Sequence, residues 1–259
     1  MRFSTGLMGG HWGIQGRLSN IGSKGYVDRA SAKLNSYFLQ AGYFGENTVV
    51  KFITFNGVEQ TYHAWDFASK YDQEQHGRTY NPSGKMEKDA AGNPQFYKNQ
   101  NDNYHQQHYQ LLWNQLFGAD WNLNLALHYT KGDGYYEQYK KNQKLALYGL
   151  DAAATKAKSS LVREKWLDSY FYGAVASLNY DNKRNFSATL GEGWNKYSND
   201  HFGRVTWVKK PVDDFMPNHE YYNNNTKKTD YNAYLKATYE FVTSDRGLGR
   251  ASKGDLKRM

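Results

Sequence analysis

The sequence has no cysteine among its 259 residues and only 4 prolines. Without thiols there is no disulfide framework, no thiolate metal site and no cysteine nucleophile. The low proline count, with 24 glycines, excludes collagen-like and proline-rich filaments. Long apolar runs are missing as well. Hydrophobic residues make up 39% and mean hydropathy is −0.90. No stretch approaches the ~18 apolar residues of a membrane-spanning helix. The start, Met1-Arg2-Phe3-Ser4-Thr5-Gly6-Leu7-Met8-Gly9-Gly10-His11, has no continuous apolar segment and no small-residue cleavage site, so it does not read as a signal peptide. Aromatics, by contrast, are abundant: 23 Tyr, 13 Phe and 7 Trp make 17% of the chain. Disordered chains are poor in aromatics, so most of this one folds.

The dominant period is two, the signature of strands. In 121–129, Trp121, Leu123, Leu125, Leu127 and Tyr129 share one face, and Asn122, Asn124, Ala126 and His128 the other. Residues 170–180 repeat the scheme, with Ala174, Ala176 and Leu178 between tyrosines and Ser177 opposite; Phe171 and Val175 break it. Residues 231–241 set Leu235 and Ala237 against Lys236 and Thr238, and Tyr37, Leu39, Ala41 and Tyr43 give a shorter version. The apolar faces end in aromatics, and the run from Trp121 to Tyr129 spans roughly 26 Å. An apolar band ~25 Å tall between aromatic girdles describes a transmembrane β-barrel strand. A soluble antiparallel sheet accounts for one such strand; aromatic ends repeated over several favour the barrel.

The connections alternate. Tight turns fall at residues 8–11, 45–47, 118–120 and 181–184, and long polar links at Gly22–Ala30, Ala64–Asn101, Gly132–Lys165 and Asn199–Thr229. Links of ~30–40 residues are foreign to a compact soluble domain. Outer-membrane barrels have short periplasmic turns and long extracellular loops. The pattern predicts an all-β, antiparallel up-and-down meander of roughly nine strands, with a short helix within Lys144–Ala157. One domain is expected over 1–245. The stretch 246–259 is basic, aperiodic and free of aromatics, and reads as a disordered or out-of-frame tail.

Catalytic motifs are absent: there is no P-loop, G-x-G-x-x-G, G-x-S-x-G or H-E-x-x-H, so no enzyme activity, cofactor or metal is expected. His105 and His108 look like a metal pair, but a spacing of three on a strand sends their rings to opposite faces. The excess of 33 Lys+Arg over 25 Asp+Glu, a net +8, is scattered through the links, with no basic platform for nucleic acid. On a barrel, those links face an anionic lipid leaflet and attract anionic solutes.

Three stretches are similar to TonB-dependent outer-membrane receptors, especially those of Bacteroidetes. They are Arg17-Leu18-Ser19-Asn20-Ile21-Gly22-Ser23-Lys24-Gly25-Tyr26-Val27-Asp28-Arg29-Ala30, Leu127-His128-Tyr129-Thr130-Lys131-Gly132-Asp133-Gly134-Tyr135-Tyr136-Glu137-Gln138-Tyr139, and Asp200-His201-Phe202-Gly203-Arg204-Val205-Thr206-Trp207-Val208. The resemblance runs over about residues 2–242. It implies a barrel of roughly 22 strands with an N-terminal plug. It also implies import of iron chelates, haem, cobalamin or glycans, driven by the TonB complex of the inner membrane. Set against that family, the chain reads as an internal part of the barrel, lacking the plug through which TonB is contacted. The expectation is uptake of a scarce solute across the cell outer membrane, an iron–siderophore chelate first, with outer-membrane lipid around the barrel. A carbohydrate-binding β-protein using link aromatics and a small diffusion porin are the rivals. Arg29, Tyr135, Tyr136, Trp207 and Tyr222, on or beside the long-link side of each hairpin, are the expected ligand contacts.

Overall fold

The computed structural model describes residues 1–150 and 157–241. The tail expected at 246–259 lies outside the described residues. Nine strands follow one another: β1 (Arg2–Met8), β2 (Trp12–Ser23), β3 (Ala32–Phe44), β4 (Thr48–Tyr62), β5 (Asn101–Phe117), β6 (Trp121–Lys144), β7 (Lys158–Asp181), β8 (Phe186–Val208) and β9 (His219–Tyr239). They form one antiparallel sheet in sequence order. The all-β meander is therefore as the alternation predicts. Among the described residues the sheet is open, since β1 and β9 each have one paired neighbour.

Register decides which side chains share a face. Leu123 pairs with Leu178, Leu125 with Ala176 and Leu127 with Ala174. Leu178 pairs with Leu190, and Leu190 and Ala188 pair with Leu235 and Ala237. All eight apolar residues singled out above thus lie on one face, here the banded face. Aromatic pairs border it at both ends. At the short-turn end Trp12 meets Tyr43 at 5.0 Å and Trp121 meets Tyr180 at 4.8 Å. At the other end Tyr109 meets Tyr129 at 6.2 Å and Tyr172 meets Trp194 at 5.8 Å. Among the described residues no other element covers the band: Leu127 is 40% exposed and Leu190 54%. The opposite, polar face carries an amide ladder. Asn114 donates to Asn124 at 2.6 Å, and Asn124 donates to Ser177 at 3.3 Å. Such cross-strand bonds stabilise a wet face modestly, by roughly 0.2–1 kcal/mol per pair.

Two of the expected links are shorter than the sequence suggests. Gly132–Lys165 is mostly strand: β6 and β7 are each 24 residues long, and the connection is 145–157. Asn199–Thr229 shrinks to 209–218 in the same way. The misleading signal is the pair Gly132 and Gly134, which looks like a turn. A Cβ on Gly134 would lie 2.2 Å from the Asn103 carbonyl, and one on Gly132 would lie 2.4 Å from the Tyr104 hydroxyl. These glycines make room for Tyr104 on the neighbouring strand, not for a bend. The long links at 24–31 and 63–100 stand as expected.

Helix is minor. Of the helix expected within Lys144–Ala157, the structure shows a 3-10 turn at Leu145–Tyr148, and 151–156 lie outside the described residues. Helix α1 (Lys70–His76) was not expected. Its Ser69 accepts from the Asp72 backbone while Asp72 accepts from the Ser69 backbone, a capping box. The buried core is small and sits at the long-link end, where Leu145, Tyr148 and Leu150 pack on Leu161, Val205 and Val208. Val212 and Phe215 pack against it, so residues 145–150 and the 209–218 link rest together on the strand ends.

Candidate functional site

Beyond the aromatic row at Tyr129, β6 to β9 continue toward the long links and carry four of the five expected ligand residues, while Arg29 lies in the 24–31 link. All but Arg29 are on strands, not in loops. Their parity therefore matters, and it divides them. Tyr136 pairs with Lys165, Lys165 with Gly203, and Gly203 with Tyr222, all on the polar face. Tyr135 pairs with Trp166, and Trp207 with Val162, on the banded face.

On the polar face these residues build a cluster around one ammonium. Lys165 Nζ lies 5.9 Å from the ring centre of Tyr136 and 5.9 Å from that of Tyr222. Both distances fit a cation held against ring faces. Tyr222 is placed by a hydrogen bond between its hydroxyl and His201 Nε2 at 3.2 Å. Its ring lies over Gly203, where a Cβ would come within 2.3 Å of it. Trp65, from the 63–100 link, closes the edge of Tyr136 at 5.6 Å. Among the described residues no carboxylate reaches ion-pair distance of Lys165. The cluster thus presents a cation with π faces and no internal counterion. Lys165 and His201 were not singled out as ligand contacts, because only strand register brings them beside the tyrosines.

The other three residues are engaged differently. Tyr135 stacks on Trp166 at 4.3 Å, Trp166 lies 5.8 Å from Phe202, and Arg204 covers Phe202 at 4.7 Å. Trp207 lies 6.3 Å from Tyr139. Arg29, with a left-handed φ of 64°, ties the two long links together. Its guanidinium donates to the Asn81 carbonyl and, at 3.3 Å, to the Tyr62 hydroxyl, and it lies 3.6 Å from the Phe96 ring centre.

The 63–100 link is latched to the strand ends. Ser160 donates to Glu87 at 2.5 Å, Tyr139 also donates to it, and Lys209 Nζ stands 3.8 Å away. Burial works against the Glu87 charge, but these partners hold its carboxyl down to about 2. At the other end of the link His63 is 3% exposed, with its ring tilted against Trp65 at 3.9 Å. Among the described residues neither of its ring nitrogens has a hydrogen-bond partner. Burial lowers its pKa from 6.5 to about 4, against the pull of Asp66. Between those values the unfolded chain binds the proton and the folded one does not, so packing at His63 weakens as pH falls from 6.5 toward 4. In the intact barrel, protease cleavage of the 63–100 link should rise over that window. In His63→Phe it should not change with pH; a wild-type response there would assign the sensitivity to another group. The register also places His105 opposite Asp133 and His108 opposite Thr130, on different faces, as the spacing requires.

The sequence matches no protein-family model and no curated protein. Among solved structures the chain is similar to BauA, the ferric preacinetobactin receptor from Acinetobacter baumannii. The alignment covers 92% of this chain and 38% of that one, with 9% identity and a TM-score of 0.52. It also aligns with Fiu, the ferric-catecholate import receptor of E. coli K12 in its open form, over 91% of this chain and 50% of that one, at 6% identity and a TM-score of 0.46. The likeness to BauA shows the fold: this sheet follows an arc of a β-barrel receptor. The chain spans 38% of that receptor's length.

Proposed function

We propose that this chain is an arc of a TonB-dependent outer-membrane receptor that takes up a scarce solute, with an iron–siderophore chelate as first choice. The observation that carries this reading is the banded face, an apolar strip between two aromatic rows, backed by a polar face and extended at one end only by long links. A membrane supplies the missing cover for that strip. The banded face then meets lipid, the polar face lines the lumen, and the long links are extracellular. BauA is a ferric siderophore receptor, and the Bacteroidetes-like stretches quoted above keep that lineage as our reading. Energy comes from the TonB complex, through a plug that belongs to the rest of such a receptor.

The Lys165 cluster is where the solute is held. A cation between two π faces, without a carboxylate, suits an anionic, ring-bearing chelate. Tyr136 and Tyr222 contact it inside the lumen, while Tyr135 and Trp207, on the outer face, and Arg29, between the two links, act indirectly by holding the rim. In the intact barrel, Lys165→Ala, Tyr136→Ala and Tyr222→Ala should each weaken binding of a ferric catecholate, Lys165→Ala by about thirtyfold, since a desolvated cation–π contact contributes ~2 kcal/mol. Barrel assembly should be unchanged. The alanine variants of Arg29, Tyr135 and Trp207 should show smaller losses. Wild-type affinity in all three cluster variants would place the solute elsewhere.

A further inference from the structure

The first residues of the 63–100 link touch the Lys165 cluster directly. Trp65 meets the Tyr136 ring edge-on at 5.6 Å and 88°, and His63 meets the same ring at 5.9 Å and 67°. His63 and Trp65 lie against each other at 3.9 Å. The three rings form one group, and Tyr136 is also a ring beside Lys165 Nζ. A change at His63 therefore reaches the cluster through two aromatic contacts.

The backbone under this group is pinned, while Trp65 is half free. The His63 N–H donates to the Gln100 carbonyl at 2.7 Å, and the His63 carbonyl accepts from Asn81 Nδ2 at 3.0 Å. Three residues on, Asp66 accepts from the Ser83 hydroxyl at 2.8 Å. Between these anchors Trp65 is 44% exposed. Its ring leaves Tyr136 for water without breaking either anchor.

His63 supplies the reason to move. An imidazolium carries two N–H donors, and at this position neither would find an acceptor, a costly state. Among the described residues, the charged and titratable groups around it are Asp66 on the link, Asp102 on β5 opposite Tyr136, Tyr136 and Lys140 on β6, and Lys165 on β7. Arg29 reaches it only through Asn81. Asp66 favours the proton, but burial outweighs it and keeps the packed ring neutral. Once turned out of the group, the charged ring regains water and stays near Asp66. Two arrangements follow, one packed and neutral, the other open and charged.

We propose that His63 and Trp65 form a proton-operated gate on the Lys165 cluster, closed while His63 is neutral and open once it is protonated. This rests on the reading that the cluster holds the solute. Trp65 is a positioning residue: it acts by holding Tyr136. Linkage gives the sign. The closed form excludes the proton and holds the solute, so acid weakens solute binding and solute binding expels the proton. A histidine that only added positive charge beside an anionic solute would do the reverse and tighten binding in acid.

The test uses the intact barrel in detergent, as wild type and as His63→Phe, which keeps an apolar ring in place and removes the titration. Trp65 emission, taken as the difference from Trp65→Phe, should shift to the red in wild type as pH falls from 6.5 toward 4 and stay constant in His63→Phe. Both proteins should bind a ferric catecholate equally at pH 7. At pH 4.5 wild type should bind at least tenfold more weakly than His63→Phe; acid breakdown of the chelate is common to both and cancels. Trp65→Ala should bind at least tenfold more weakly than wild type at pH 7, which checks the gate even if His63→Phe does not assemble. Constant emission in wild type, equal affinities at pH 4.5, tighter binding by wild type there, or wild-type affinity in Trp65→Ala would each overturn the gate. With catecholate bound at pH 7, the receptor reading stands in all four cases. If the emission shifts but wild type binds no catecholate at pH 7, the solute reading of the cluster falls and takes the gate with it.

Discussion

Arginine at Leu125 should destabilise the intact barrel by ~2–4 kcal/mol, and arginine at Asn124 by far less. The two positions are adjacent in sequence and differ only in the face they present. Leu125 pairs with Trp113 on one side and Ala176 on the other, in the middle of the band. In hydrocarbon a guanidinium there has neither water nor a partner, and the cost is greatest at mid-depth. Asn124 stands in the amide ladder between Asn114 and Ser177, on the face read as lumenal. Arginine there loses those amide bonds but stays in water. The measurement is unfolding in guanidinium of the barrel folded into lipid vesicles. Equal destabilisation at 124 and 125 would sink the assignment of faces, and with it the membrane reading.

How much of this was legible before the structure depends on where along a strand one looks. Between Trp121 and Tyr129 one face of the strand is apolar and the other polar, so alternation marks both the strand and its faces. Beyond Tyr129 both faces carry polar side chains. There Lys131, Asp133, Glu137, Gln138 and Lys140 show no alternation, and the strand reads as loop. The same loss hides the site. A loop has no parity, so Tyr135 and Tyr136 look equivalent in sequence; once both lie on β6 they point to opposite faces. Lys165 counted only as one more link lysine until its pairing with Tyr136 placed it. The capping box at Ser69 and Asp72 was readable, but a seven-residue helix with no buried residue leaves no apolar period to draw attention to it.

The 259-residue polypeptide alone should form no closed barrel. β1 and β9 are edges among the described residues, and each carries a row of N–H and C=O groups facing no strand. In hydrocarbon each unpaired group costs several kcal/mol, which no other contact of this sheet offsets. In water the band from Trp121 to Tyr129 is exposed along with both edges, a combination that favours aggregation. Two copies cannot repair this by joining around a common axis. β1 and β9 run in the same direction, because nine antiparallel strands separate into five of one direction and four of the other. A second copy turned about the barrel axis would therefore set β9 beside a parallel β1, against the antiparallel order of every pair in the sheet. The circle closes with alternation intact only through an odd number of further strands that begin and end antiparallel to β9 and β1, a condition the nine strands of such a copy fail at both ends. Refolded alone into detergent or vesicles, the polypeptide should give aggregates and no heat-modifiable band. Refolded with a second polypeptide carrying the remaining odd-numbered strands, it should give a compact, protease-resistant species. A compact monomer formed by this chain alone, passing solute through a membrane without TonB, would refute the arc and establish the small porin in its place.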